Sequence, residues 1–196
     1  MNTQRLSMLV LGMIFIAGVT HAGEKGQERK AFREGQKEKI KSFHEGMKSE
    51  NKDFHKSLKE MTPEQRKEAM KARHEENFDK RKEFHDKMYE ENKAALAERL
   101  SKNSKLTQAQ KDELIKFYED QHAENVSFRE GQHKENMEFF DKIANDPNMT
   151  MEQKKQAIKE HREQQKSENK AHHEEQKSDR KAEHEKMKSA VQEQVK

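Results

Sequence analysis

The sequence predicts an all-α protein: an elongated bundle of about four long helices with eleven-residue seams, preceded by a signal peptide. Three observations carry this. A phrase of the form apolar-Thr-x-x-Gln occurs three times, at Met61-Thr62-Pro63-Glu64-Gln65, Leu106-Thr107-Gln108-Ala109-Gln110 and Met149-Thr150-Met151-Glu152-Gln153. Phenylalanines recur every eleven residues, at Phe32, Phe43 and Phe54 and again at Phe117, Phe128 and Phe139. No stretch alternates polar and apolar residues with period two, the pattern a half-buried strand requires.

The first 22 residues differ from the rest. Arg5 precedes an apolar run from Met8 to Val19, and Thr20-His21-Ala22 supplies small residues at the −3 and −1 positions. This is the pattern of a secretory signal peptide cleaved after Ala22, and it predicts export to the periplasm of a bacterium. The run is short for a membrane span, so no stable membrane insertion is expected after cleavage. Loss of Arg5 takes the 41 basic residues to 40 against 38 acidic ones. That near-balance, with the signs interleaved, argues against a nucleic-acid partner. Only about a quarter of the mature residues are apolar, well below a globular average. Such a chain builds long helices around a narrow seam and not a thick core. There is no cysteine, so no disulfide supports it.

Four helices are predicted, at roughly 27–59, 63–101, 108–144 and 151–193. Each of the last three opens on the repeated phrase. Thr62, Thr107 and Thr150 are placed as N-caps, and Gln65, Gln110 and Gln153 at the third helical position. There the two side chains can satisfy each other's backbone N–H groups in a capping box. Pro63 falls at the first helical position, where its missing N–H costs nothing. The preceding Met61, Leu106 and Met149 are expected to pack back on the fold. The mature chain, 23–196, reads as a single domain with repeats of about 44 residues at 61–105, 106–148 and 149–196. Eleven residues make three helical turns, so a seam of this period stays on one face of a nearly straight or slightly right-handed bundle.

The seam is uneven. The third helix is richest, with Phe117, Phe128 and Phe139 on one face; the second carries Phe78 and Met88. These five are the candidate contacts for other proteins. The fourth is nearly bare: from Lys159 to Lys186 its only apolar residues are Ala171 and Ala182. It reads either as a solvated helix held by Glu–Lys pairs or as a disordered tail. The mature histidines fall into pairs eleven apart, at 44/55, 74/85, 122/133, 161/172 and 173/184. Eleven helical residues span about 16 Å, so one pair cannot share an ion. Packing at the seam edge, pH sensing and metal binding between helices or subunits are all open to them. His172 and His173, beside Glu168, Glu174 and Glu175, form the one loose metal candidate. No nucleophile elbow, phosphate loop, dinucleotide fingerprint or His-Glu-x-x-His is present, so neither an enzyme nor a cofactor is expected.

Leu106-Thr107-Gln108-Ala109-Gln110 with Lys111-Asp112-Glu113, and Met61-Thr62-Pro63-Glu64-Gln65 with Arg66-Lys67-Glu68, resemble the LTxxQ motifs of the Spy/CpxP family. The resemblance implies a small, Cys-poor, all-helical periplasmic protein of the envelope stress response that forms dimeric, cradle-like assemblies. It also implies ATP-independent chaperone activity on unfolded or envelope proteins, sensor inhibition, or zinc binding. Only the capping phrase transfers residue by residue. This chain has three copies where the family has two, and two of its copies begin with Met. A metal-buffering protein and a helical spacer without clients stand as the alternatives.

Overall fold

The computed structural model describes residues 24–193. The signal peptide read at 1–22 lies outside them. Four α-helices follow one another: α1 (Glu24–Ser57), α2 (Pro63–Ser101), α3 (Gln108–Asn145) and α4 (Met151–Glu193), with a short 3-10 turn at Leu58–Glu60. No strand occurs among the described residues, and the all-α expectation is met. α2 and α4 have the predicted bounds, and α3 runs one residue further. α1 starts three residues earlier and ends two earlier than expected. Its last turn tightens into the 3-10 segment, where the Met61 N–H donates to the Leu58 carbonyl at 3.3 Å.

The starts of α2, α3 and α4 are built as capping boxes. The Gln65 N–H donates to Thr62 Oγ1 at 3.2 Å, and the Thr62 N–H donates to Gln65 Oε1 at 2.9 Å. Thr107 with Gln110 repeats this at 3.2 and 2.8 Å, and Thr150 with Gln153 at 3.2 and 2.8 Å. Each box closes two of the N–H groups that a helix start leaves open. The stops are equally local. Ser101 Oγ donates to the Glu98 carbonyl at 2.8 Å, and Asp146 Oδ1 accepts from the Asn148 N–H at 2.8 Å ahead of α4.

The described chain divides into two compact units between Lys102 and Asn103. In the first, α1 and α2 form an antiparallel hairpin. Phe43 stacks on Phe84 with ring centroids 4.1 Å apart and planes 6° from parallel. Nearer the turn, the Arg73 guanidinium lies 5.7 Å from the Phe54 ring centroid. Toward the far end, Gln36 donates to Glu91 at 2.9 Å. In the second unit α3 and α4 pair the same way. Phe139 stacks on His161 at 3.9 Å, Phe128 on His172 at 4.1 Å, and Lys186 pairs with Glu113 further out.

The two hairpins share one frame. Arg73 and His161 are 88 residues apart, as are Phe84 and His172, and as are the caps Thr62 and Thr150. Phe54 and Phe139, and Phe43 and Phe128, are 85 apart. The three-residue difference falls in the longer turn at Asp146-Pro147-Asn148. So the 44-residue rhythm works in twos: the unit that recurs is a helix pair, where the sequence reading had one domain of single-helix repeats.

The core is thin. In the first unit Met47, Met88, Tyr89, Leu96 and Leu100 are buried; in the second, Leu106, Leu114, Ile143 and Met187. Buried beside them are Gln36 in the first unit and Gln121, Asn125, His161 and Gln176 in the second. α4 is as poor in apolar residues as expected and carries Glu–Lys pairs such as Glu163–Lys166 and Glu174–Lys177, but it is a packed helix and not a free tail. It packs on α3 through His161, Gln176 and Met187, spaced so that polar side chains occupy positions a hydropathy reading assigns to solvent.

Candidate functional site

The α3/α4 seam carries most of the chemistry the sequence singled out, in two layers one eleven-residue step apart. In each, a phenylalanine on α3 stacks flat on a histidine of α4, and an asparagine three residues before the phenylalanine bonds the imidazole. His161 Nε2 lies 3.0 Å from Asn136 Oδ1, and His172 Nε2 lies 3.1 Å from Asn125 Oδ1. Asn125 uses both amide hydrogens elsewhere, on the Gln121 carbonyl at 2.7 Å and on Gln176 Oε1 at 2.9 Å. Its Oδ1 must therefore accept, and His172 donates from Nε2.

Gln176 completes the cluster. It is 1 % exposed, donates to Glu124 at 2.9 Å and accepts from Asn125. Its backbone carbonyl accepts from Gln121 at 3.4 Å, and Gln121 Oε1 accepts from Arg180 at 3.2 Å. Burial is the first influence on two of the titratable groups here: it holds the Arg180 guanidinium and the His172 imidazole below their usual values.

The corresponding layers of α1/α2 are built differently. Phe84 stands where His172 stands, and Arg73 where His161 stands. Arg73 donates to Asn51 at 3.0 Å, to Glu50 at 3.1 Å and to Glu76 at 2.8 Å, and its side chain is 11 % exposed. Hydrogen bonds from Lys80 and Arg73 hold the Glu50 carboxyl below the ordinary carboxylate range. Lys39 does the same to Glu91.

Of the five candidate client contacts, Phe117, Phe128, Phe139 and Phe78 are half-buried and Met88 is buried. Phe128 and Phe139 have one face covered by an imidazole. The most open large apolar side chains are Met70 and Met151. Among the cap phrases, Leu106 is buried, Met61 and Met149 are half-buried, and the three threonines are exposed. Met61 lines an open recess of about 480 Å³ with Glu64, Gln65, Glu68 and Ala69. His172 and His173 are both half-buried, and His172 faces Phe128 and Asn125 in place of a metal-ligand set. Among the described residues no three His, Asp or Glu side chains come together around a common point. No described helix is long and apolar enough to cross a membrane.

The buried amides Gln121, Asn125 and Gln176, and Arg73 as a hub, are the residues that sequence reasoning missed. For the amides the signal was the same eleven-residue spacing carried by polar residues: Gln121 and Gln132, Asn125 and Asn136, Gln165 and Gln176. No family model, curated protein or solved structure matches the chain.

Proposed function

We propose that the mature chain is a periplasmic protein-binding protein, a holding chaperone or envelope-stress modulator that works without ATP, cofactor or catalysis, as a homo-oligomer such as a dimer. The observation that carries this reading is the row of half-buried phenylalanines. Phe117, Phe128 and Phe139 keep part of their apolar surface at the edge of the α3/α4 seam, and Phe78 separately does so in the α1/α2 hairpin. Dense exposed ion pairs border the row, among them Lys116–Asp120 and Lys134–Glu138. Shallow apolar surface rimmed by charge suits exposed apolar segments of many proteins, and the surrounding charge keeps the complex soluble. The resemblance of the capping phrases to LTxxQ motifs supports the same reading and the periplasmic address.

The test is suppression of aggregation. At an equimolar ratio to several chemically unfolded clients, the full mature chain lowers light scattering without nucleotide. If it leaves every client's scattering unchanged, the chaperone reading falls. A second reading, a helical spacer, draws on the stacking of Phe128 and Phe139 within their own hairpin. It predicts no suppression and a rigid rod-like particle.

A further inference from the structure

We propose that the Phe128–His172 layer is an acid-released latch: protonation of His172 loosens the α3/α4 hairpin while α1/α2 keeps its packing. This is independent of what the protein binds.

The geometry supplies the reason. His172 lies flat on Phe128 with planes 15° apart, and its Nε2–H is committed to Asn125 Oδ1. With Nε2–H donating, the neutral ring carries no proton on Nδ1. The second proton adds a charge to a partly desolvated seam and a second donor to satisfy. Charged groups approach from both helices. Glu175 on α4 and Glu124 on α3 favour the imidazolium, whereas Arg129 on α3 and His173 on α4 oppose it. Burial outweighs the two carboxylates and holds the imidazole below its usual value. Folded protein thus binds the proton less readily than unfolded chain, and unfolding takes a proton up. The stability supplied by this layer is whole above the ordinary imidazole range and is lost as pH falls through that range toward the folded value.

The first hairpin, whose half-buried His74 and His85 lie outside this layer, supplies the comparison. At the same place in the frame, Phe43 stacks on Phe84, which does not titrate. The adjoining layer holds Arg73, which stays charged throughout.

Amide hydrogen exchange on the full mature chain tests this, comparing about pH 7.5 with about pH 5.5 after correction for intrinsic exchange. Protection is expected to drop several-fold in segments 121–139 and 161–180 and to hold in 36–54 and 73–91. His172→Phe, which copies the Phe43–Phe84 stack, is expected to abolish that selective drop. An NMR titration of the wild-type chain is expected to place the His172 midpoint below the ordinary imidazole value. Equal loss of protection in both hairpins overturns the proposal, as does an undiminished drop in His172→Phe. So does a His172 midpoint at or above the ordinary imidazole value, a readout that does not depend on the variant folding.

Discussion

Phe128 and His172 lie face to face with ring centroids 4.1 Å apart, at the place where the other hairpin sets Phe43 on Phe84 at the same distance. One spacing thus accommodates either an aromatic pair or an aromatic–imidazole pair, and the choice decides how each hairpin responds to its surroundings. Truncating Phe128 removes half of its layer and leaves His172 uncovered. Phe128→Ala is expected to destabilise the α3/α4 hairpin by about 2 kcal/mol, below the range for fully buried phenylalanine because the ring is half-buried. Urea denaturation followed by circular dichroism reads this, and an unchanged midpoint contradicts it.

Thr107→Ala removes the side chain that accepts from the Gln110 N–H and opens the box at the start of α3. The expected loss is about 1 kcal/mol, with Thr107→Ser retaining most of the parent's stability. Thermal melting of the two variants side by side provides the comparison. Equal melting of Thr107→Ala and the parent would show that this cap contributes nothing.

Arg73 joins both helices of its hairpin through Asn51 and Glu50, and reaches Glu76 on its own helix while lying over Phe54. Arg73→Lys keeps the charge and loses the planar fork that makes these bonds together. It is expected to cost about 2 kcal/mol, close to the effect of Arg73→Ala, since charged hydrogen bonds of this kind carry most of the contribution. If lysine restores parent-like stability in denaturant titration, the charge and not the fork is what matters.

Acid should act on the first hairpin later than on the second. Lys80 and Arg73 depress the Glu50 carboxyl and Lys39 depresses that of Glu91, so these groups release protons more readily in the folded state than unfolded. Their stabilisation is present above the ordinary carboxylate range and is lost as pH falls through the lowered folded values. Segment-resolved exchange down to about pH 3 is expected to show α1/α2 losing protection in that carboxylate window. Loss of its protection near neutrality would contradict the assignment.

The same positions show what was legible in the sequence. The helix starts were, because Thr at N-cap and Gln three residues on form a bond pattern that depends on neighbours alone. The phenylalanine rhythm was also, because a hendecad keeps one face. The α4 seam was not. Gln176, Asn125 and His161 count as surface residues on any hydropathy scale, and what buries them is mutual hydrogen bonding across the hairpin. Such bonding depends on which helix lies opposite. The 88-residue frame linking Phe84 to His172 was present in the sequence, but the change of residue type at the shared position hid it.

The protein-binding claim rests on the aromatic row, and photo-crosslinking tests it most directly. A photoreactive phenylalanine analogue placed at Phe117 or Phe78, and in parallel at the exposed Lys134 on the charged surface, is irradiated in the full mature chain with a chemically unfolded client. The account predicts client adducts from Phe117 and Phe78 and few from Lys134. Absence of adducts from Phe117 and Phe78, or equal yields from all three sites, would contradict it.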